Sequence, residues 1–320
     1  MTGDHATSAP LRFDPLVPTV YHEPWWLAAA TDGRYDEITL TENGRKIARF
    51  PYVIHRGRTG HTTCGMPVLT HFLGPAIDTG EAAPTNKSLK QAAILRELLS
   101  RVPSTSGFYQ KLHRDLTDTL VFQEQRYDSG VQFTYEIQPA PEAVLWSAMR
   151  DKTRNAIRAA ERLFTVSDEP DPARFAALYE ANLARKGRAN NYQHVAAVSD
   201  VAIRLARGRI IAAFNQAREP VAAIFYAWDA RAAYYVLTTR SEQAGNGAVS
   251  LLLWHAMRDC ARRGLIFDFD GVAEPGSRVF YTGFGGLVAP RYIVSRYNLR
   301  HQLANSIGNP FRASRRNHYQ

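Results

Sequence analysis

The two halves of the chain repeat one order of secondary-structure elements, and this repeat limits the fold more than any other feature. Each half shows a β-hairpin, then an amphipathic helix, then a strand. The hairpins are YDEITLTENGRKIARFPYVI and RIIAAFNQAREPVAAIFYAW; the Asn-Gly pair of the first is a strong hairpin signal. The helices are SLKQAAILRELLSRV and VSLLLWHAMRDCARRG. This order predicts an α/β (α+β) fold built from two similar units in tandem, each a mixed sheet with flanking helices.

The repeat also predicts a division of the chain into segments. Sequence identity between the halves is weak, so chance repetition of a common α+β pattern is the alternative. The predicted segments are a flexible tail (1–20), a first unit (21–140), a basic connecting helix (141–164), a second unit (165–300) and a basic C-terminal tail (301–320).

The composition is globular and strongly basic. The 320 residues are 45% hydrophobic and 22% charged, with a formal net charge of +9 and a pI near 9.6. Such a surplus favours polyanionic partners: RNA, phosphorylated cofactors or an anionic membrane face. A basic soluble protein without any such partner is the alternative.

Several function classes receive no support from the sequence. Cys64 and Cys260 form no CxxC pair, and the ten histidines show no metal-binding spacing, so neither a disulfide framework nor a metal site is expected. No nucleophile elbow, Walker A loop or strict dinucleotide fingerprint occurs. The N-terminus lacks an apolar core and no stretch approaches the length of a membrane span. The prediction is a cytoplasmic protein without a transmembrane segment.

A glycine-containing loop, RSEQAGNG, leads directly into the second amphipathic helix. Glycine permits unusual backbone angles and close ligand approach, and a helix N-terminus attracts anions. The loop therefore predicts a site for donor phosphates, although an ordinary loop preceding a helix is the alternative. The candidate residues are Arg240, Gln243, Gly245, Asn246 and Gly247.

An arginine-rich stretch precedes the second half. PEAVLWSAMRDKTRNAIRAAERL predicts one long helix, in which arginines at spacings of four share a broad face. The few acidic neighbours favour a phosphate-rich ligand, with a solvated charged face as the alternative. Lys152, Arg154 and Arg158 are accordingly predicted to bind the donor.

The segment FDFDGVAEPGSRVFYTGFGG carries the candidate reaction centre. Alternation along a strand places Asp268 and Asp270 on one face, where a carboxylate can orient or deprotonate an amine, or cap a turn instead. Tyr281 offers a hydroxyl for the proton path or the carbonyl. A short turn through Pro275 and Gly276 is expected to bring Tyr281 back towards the aspartates.

Taken together, these stretches resemble the Fem-like branch of the GNAT acyltransferase superfamily, which includes the FemABX aminoacyltransferases. The resemblance runs from about Tyr21 to Tyr297 and is strongest from Tyr234 to Gly286. It implies two GNAT-like units, and transfer of an amino acid from aminoacyl-tRNA to an amine; other relatives use acyl-CoA. The stretches that carry it are EPWWLAAA, ARFPYVI, KTRNAIRAAER, AYYVLTTRSEQAGNGAVSLLLWHAM, FDFDG and FYTGFGG.

The resemblance also implies an acceptor site and shows where this chain departs from the family. The implied acceptor-binding residues are Tyr235, Arg278, Phe280 and Gly285. The lysine that commonly follows the position of Phe280 is Tyr281 here, and Arg278 stands where related sequences often carry an acid. The family's CoA loop has Arg or Gln where this chain has Glu242, which is unfavourable for CoA. The acceptor and the donor both stay open.

The predicted activity is transfer of an amino acid from aminoacyl-tRNA onto the amine of a small molecule, peptide or cell-envelope precursor, forming an amide bond. Asp268 or Asp270 would orient the amine, and no tightly bound cofactor is expected. The alternatives are an acyl-CoA-dependent N-acyltransferase acting on an aminosugar or small amine, and a non-catalytic RNA-binding protein.

Overall fold

The computed structural model describes residues 11–57, 60–81, 83–169, 171–187, 194–245, 247–271 and 275–299. The helices are α1 (Pro24–Ala29), α2 (Pro84–Ser100), α3 (Leu120–Glu124), α4 (Glu142–Ala148), α5 (Asp151–Glu161), α6 (Pro172–Arg185), α7 (Val195–Arg204), α8 (Ala248–Arg262) and α9 (Pro275–Thr282). The strands are β1 (Asp36–Glu42), β2 (Arg45–Arg56), β3 (Thr62–Gly65), β4 (Ala76–Ile77), β5 (Gly107–Lys111), β6 (Asp128–Ile137), β7 (Thr165–Asp168), β8 (Gly208–Phe214), β9 (Pro220–Trp228), β10 (Ala232–Arg240), β11 (Ile266–Asp268) and β12 (Leu287–Tyr297). The predicted tail over 301–320 lies outside the described residues.

Within these ranges, the strands form one twelve-stranded mixed sheet. Its order is β1-β2-β3-β5-β12-β6-β11-β10-β9-β8-β7, and β4 pairs with β2 off this path. Outwards from the central β12–β6 pair, the two sides repeat the same pattern of antiparallel, parallel, antiparallel and antiparallel pairings. The predicted tandem pair of mixed α/β units is confirmed by this repeated pattern.

The last strand of each half pairs within the other half. β6 ends the first half but lies beside β11, whereas β12 ends the second half but lies beside β5. β6 and β12 then pair with each other along nine residue positions, from Leu287↔Glu136 to Ser295↔Asp128. The exchange makes the sheet continuous, so the unit bounds 21–140 and 165–300 stay a prediction.

Local sequence explains the repeated elements. The β1–β2 turn contains Asn43 and Gly44 with φ of 51° and 77°, the left-handed conformation that an Asn-Gly hairpin turn requires. The helices α2 and α8 each connect two parallel strands, which need a crossover longer than a hairpin. Ten residues of α8 are buried, because the helix lies between the sheet and α5.

Three sequence-based expectations are wrong in detail. The connecting segment is two helices rather than one, because Met149 is extended with ψ of 148° and the backbone N–H of Arg150 donates to the carbonyl of Gly283 at 3.0 Å. Thr19 and Val20 are buried, so the end of the predicted tail packs into the fold. The segment from Pro275 forms α9 instead of a short turn.

A buried ion network joins the exchanged strands. Asp268 at the end of β11 is fully buried, and its Oδ2 accepts from Arg291 of β12 at 2.7 Å and from Arg114 at 3.2 Å. Glu136 of β6 is also paired with both arginines. A buried carboxylate requires such partners because desolvation otherwise penalises its charge heavily. The network therefore connects β6, β11 and β12 at the centre of the sheet.

Removing Arg291 should strongly destabilise the fold. Arg291→Leu leaves Asp268 and Glu136 buried with one cation instead of two, and breaking such a pair costs about 3–5 kcal/mol. The control is Arg96→Leu, which breaks an exposed pair with Glu124 worth at most about 1 kcal/mol. Urea denaturation of both variants measures the free energy of unfolding. Equal losses in the two variants would contradict a stabilising role for the buried network.

Two buried histidines fix the first-half loop on the sheet. His22 Nε2 bonds to the carbonyl of Gly74 at 3.2 Å, and His113 Nε2 bonds to that of Pro75 at 2.9 Å. The rings meet edge to face with centroids 5.1 Å apart. Burial lowers the pKa of His22 well below its ordinary value and lowers that of His113 to about 4. Both rings are therefore neutral in the folded protein near neutral pH.

The free energy of unfolding should fall as the pH is lowered from about 6.5 to about 4. In this window a histidine is protonated in the unfolded chain, with a pKa near 6.5, while His113 stays neutral in the fold until its pKa of about 4. The unfolded state then binds more protons, so stability rises with pH. Thermal unfolding across this window should show a smaller pH dependence in His113→Gln than in the parent protein. An identical pH dependence would be evidence against a buried neutral His113.

Candidate functional site

The adjacent parallel strands β10 and β11 separate after three paired residues. Pairing ends at Tyr234↔Asp268, where β11 stops, whereas β10 continues to Arg240. Three aromatic side chains pack together beside the point where the strands separate. Phe269 and Tyr281 stack with centroids 4.5 Å apart, and Tyr235 meets each of them edge-on at 6.4 Å. Helix α9 thus brings Tyr281 back to the end of β11, as the sequence predicted.

The glycine loop follows the carboxyl end of β10, on the same side of the sheet as the end of β11. Gly245 has φ of 53°, a left-handed conformation that glycine tolerates best. Gly247 precedes α8, and a Cβ added there would lie 2.7 Å from the carbonyl oxygen of Ala156 and 3.0 Å from the Cβ of Ala160. The glycine therefore allows the N-terminus of α8 to pack directly on α5. Asn246 lies outside the described residues.

The cations of α5 differ in what they contact. Lys152 is exposed and lies four residues before Ala156, on the helix face that meets Gly247. Arg154 instead pairs with Asp151 and donates to the carbonyls of Trp146 and Ser147 at the end of α4. The predicted donor contact is therefore more accessible at Lys152 than at Arg154.

Two further arginines of this segment are exposed. Arg158 lies over the ring of Trp146, 5.3 Å from its centroid, and Arg162 follows the last turn of α5. Among the described residues, no carboxylate lies within ion-pair distance of Lys152, Arg158 or Arg162. Together these exposed cations form a basic flank on α5, the helix that packs against Gly247.

The remaining loop residues contact the protein itself. Arg240 donates to the carbonyl of Gly245 at 3.5 Å, and Gln243 accepts from Asn215 at 3.4 Å. Glu242 pairs with Arg185 at 2.5 Å. A cavity of about 480 Å³ borders the loop on the α6 side. The acidic Glu242 is thus neutralised locally and does not add free negative charge to the loop.

The two aspartates of FDFDG have different surroundings. Asp268 Oδ1 accepts from the Thr134 hydroxyl at 2.6 Å and from the backbone N–H of Asp270 at 2.8 Å, while its Oδ2 accepts from two arginines. Asp270 has φ of 64°, so the strand alternation expected to align the two carboxylates does not reach it. Asp268 has no oxygen left for a substrate, whereas Asp270 Oδ1 has no hydrogen-bond partner among the described residues.

Asp270 is held by two side chains from the N-terminal half. The hydroxyl of Tyr21 donates to Asp270 Oδ2, and Nδ1 of His71 lies at ion-pair distance from the same oxygen. The Asp270 side chain is only 1% exposed, while that of His71 is 22% exposed. Burial raises the pKa of Asp270, and the neighbouring Asp268 adds to this rise, whereas His71 and Tyr21 oppose it.

His71, Tyr21 and Asp270 are close only in the folded chain. Asp270 is 249 residues from Tyr21, and THFLGP around His71 reads only as a turn-rich segment. No motif marks His71 or Tyr21 as a functional candidate, so sequence analysis missed both. A lone histidine among turn residues was the only available signal.

Tyr281 and the predicted acceptor residues lie on and around α9. Burial and Asp270 raise the pKa of Tyr281 to about 12, so its hydroxyl stays protonated at neutral pH and can donate a hydrogen bond. Arg278 is exposed, and Phe280 packs edge-on against Phe284 at 5.3 Å. Gly285 has φ of 83°, and a Cβ there would lie 2.7 Å from the carbonyl oxygen of Ala148. Gly285 thus serves close backbone packing against α4.

Neither a metal cluster nor a covalent nucleophile emerges from the described residues. No group of three His, Cys, Asp or Glu side chains there is arranged to hold a metal ion. Both cysteines are buried, and burial raises the pKa of Cys64 to about 12 and that of Cys260 further. In the same part of the chain, no helix is long and apolar enough to cross a membrane.

Comparison with known proteins identifies the fold. Residues 147–275 match the family model described as acetyltransferase (GNAT) domain. The sequence matches no curated protein. The structure resembles that of FemX, with a TM-score of 0.63 and 12% identity over 88% of this chain and 92% of FemX.

Two synthetase structures are also similar. One is the C-terminal domain of a putative lysylphosphatidylglycerol synthetase from Agrobacterium fabrum, with TM-score 0.55 and 13% identity over 92% of this chain and 95% of that domain. The other is L-PGS from Bacillus licheniformis, with TM-score 0.56 and 14% identity over 90% of each chain. Residues 147–275 thus match the model of the GNAT acetyltransferase domain, and the chain as a whole has the fold of FemX and of these two structures.

Proposed function

We propose that this protein transfers an aminoacyl group from aminoacyl-tRNA to an amine, forming an amide bond. A GNAT domain supports acyl transfer in general, and the FemX-like fold is consistent with an aminoacyl donor. The basic flank of α5 beside the glycine loop is the observation that favours a large, phosphate-rich donor. It agrees with the net charge of +9.

The topology favours donor and acceptor sites at the carboxyl ends of the neighbouring strands β10 and β11. The glycine loop follows the carboxyl end of β10, and Asp270 follows the carboxyl end of the parallel β11. Ligands of open α/β sheets bind outside the carboxyl ends of adjacent parallel strands. A donor carbonyl placed in the opening between the strands would lie close to Tyr235, Phe269 and Tyr281.

The reaction requires the protein mainly to position the two substrates and to transfer a proton. An aminoacyl ester or a thioester is already activated, so orienting a neutral amine against its carbonyl supplies much of the rate. In this assignment Asp270 belongs to the amine site. Asp268 positions Asp270 by accepting a hydrogen bond from its backbone N–H. Tyr281 would donate a hydrogen bond to the carbonyl oxygen as negative charge develops there.

An acyl-CoA-dependent N-acyltransferase is the second candidate. It is favoured by the description of the matching family model as an acetyltransferase domain and by the left-handed Gly245 before α8, a backbone suited to a pyrophosphate. Against it, Glu242 stands where such a loop usually carries Arg or Gln, and its partner Arg185 is needed to neutralise it.

Donor discrimination is the direct test of the proposal. Purified protein is offered charged tRNA pools and acyl-CoA pools with a library of simple amines, and products are identified by mass spectrometry. We expect amide products only with charged tRNA, abolished by ribonuclease and weakened steeply by salt because counterion release dominates such binding. Undiminished turnover with acyl-CoA after ribonuclease treatment would contradict the tRNA assignment.

The basic flank of α5 gives a residue-level prediction. In Lys152→Ala/Arg162→Ala, two exposed cations without carboxylate partners are removed, and each lost phosphate contact lowers the slope of log K against log salt by about 1. The apparent KM for charged tRNA should rise several-fold while kcat stays unchanged. Lys87→Ala removes an exposed cation from α2 and is the matched control. A salt slope that the double variant leaves unchanged would place the tRNA elsewhere.

A further inference from the structure

Two buried acceptor oxygens near the end of β11 lack a hydrogen-bond partner among the described residues, namely Asp270 Oδ1 and Gln132 Oε1. Gln132 lies beside the residue that follows Asp270, because a Cβ added to Gly271 would lie 3.3 Å from the Gln132 side-chain nitrogen. Buried acceptors are normally satisfied, since leaving one unpaired costs about 1–3 kcal/mol. Two unpaired acceptor oxygens therefore indicate a ligand that brings N–H donors.

The same carboxylate orients a histidine that is accessible to a ligand. Oδ2 of Asp270 contacts Nδ1 of His71 and accepts from the Tyr21 hydroxyl, which is itself fully buried. A carboxylate on Nδ1 favours the tautomer with the proton there and leaves the Nε2 lone pair free. The His71 side chain is 22% exposed and that of Asp270 only 1% exposed, so the ring is the more accessible member of the pair.

We propose that the acceptor amine binds to Asp270 Oδ1 and Gln132 Oε1, and that Nε2 of His71, oriented by Asp270, takes the proton released when the amine attacks. The ligand class is a primary amine with at least two N–H donors. This assignment rests on the proposed acyl transfer and names the site of its second substrate.

The step balances in atoms and charge. The nitrogen lone pair of the neutral amine forms the new C–N bond, and the C–O bond of an aminoacyl ester, or the C–S bond of a thioester, breaks with its electron pair on the leaving atom. The proton lost by nitrogen passes to His71 Nε2 and is returned to the leaving oxygen or sulfur. The histidine ends neutral, so no further reagent is consumed.

The charged and titratable groups around Asp270 come from several elements. They are Tyr21 before α1, His71 in the loop after β3, Lys111 of β5, Asp268 of β11 and Tyr281 of α9. Burial lowers the pKa of Lys111, although Asp270 opposes this change, and no ion pair of Lys111 with Asp270 forms.

Substitutions at His71 and Gln132 separate base and binding roles. His71→Ala should lower kcat/KM by about 10²–10⁴-fold, the usual loss for a general base, and added imidazole should restore part of it. The pH dependence of the restored rate should follow the added imidazole. Gln132→Leu should instead raise KM for the amine by about 5- to 10-fold with little change in kcat. His255→Ala, a half-buried histidine on α8, is the control and should retain full activity.

A measurement on the protein alone distinguishes failure of this assignment from failure of the proposed function. NMR of ¹⁵N-labelled imidazoles should show the His71 proton on Nδ1 in the neutral ring, and Asp270→Asn should shift the ring towards the other tautomer. Titration with n-propylamine should perturb the His71 resonances at concentrations where n-propanol does not. Far-UV circular dichroism confirms that each variant is folded.

Different results overturn the two proposals. If the parent protein transfers no acyl group from either donor, the proposed function fails while the NMR experiment still tests the amine site. If the parent protein is active and folded His71→Ala keeps full kcat/KM, or fails to respond to imidazole after losing activity, His71 is not the base. If His71 is protonated at Nε2 and its resonances change neither in Asp270→Asn nor with n-propylamine, the proposed amine site is wrong.

Discussion

The buried carboxylate of Asp268 is the constraint on which the centre of the molecule depends. It receives hydrogen bonds from β6, from β12 and from Arg114, three residues after β5, so three chain segments far apart in sequence are fixed to one group. Its fourth bond comes from the backbone N–H of Asp270, which turns into the left-handed region and directs its own side chain away from Asp268. Asp268 thereby positions Asp270, which we assign to the amine site, at the carboxyl end of β11.

Much of the fold follows from local sequence, whereas its central feature does not. The Asn43–Gly44 turn and the two crossover helices follow from backbone preferences and apolar spacing, which act over a few residues. The exchange of β6 and β12 leaves every local pattern unchanged, because either strand could pair within its own half. The pairs that Asp268 and Glu136 form with Arg114 and Arg291 are long-range contacts that favour the exchanged arrangement.

The candidate site was predictable only where its residues lie close together in sequence. Tyr281 and the glycine loop lie within the segment that carries strand, loop, helix and strand together, and Tyr281 contacts Tyr235 of β10, the strand that the glycine loop follows. Gly285 and Gly247 were expected to approach a ligand, yet a Cβ added at either position would lie 2.7 Å from a neighbouring backbone carbonyl oxygen. A glycine in a sequence can indicate close packing, but it does not indicate whether a ligand or the protein backbone is the close neighbour. His71 and Tyr21 join the site through tertiary contacts alone.

The absence of a usable thiolate bears on how the proposed transfer would proceed. Cys64 and Cys260 are buried, and their raised pKa values keep both thiols protonated near neutral pH. Without a covalent intermediate on cysteine, the acyl group would pass directly from donor to amine, and both substrates would have to be bound at once. Two sites at the carboxyl ends of adjacent strands meet that requirement with little motion of either substrate. In such a reaction the base need only accept a proton at the moment of attack, a task that we assign to His71, whose ring contacts the buried Asp270.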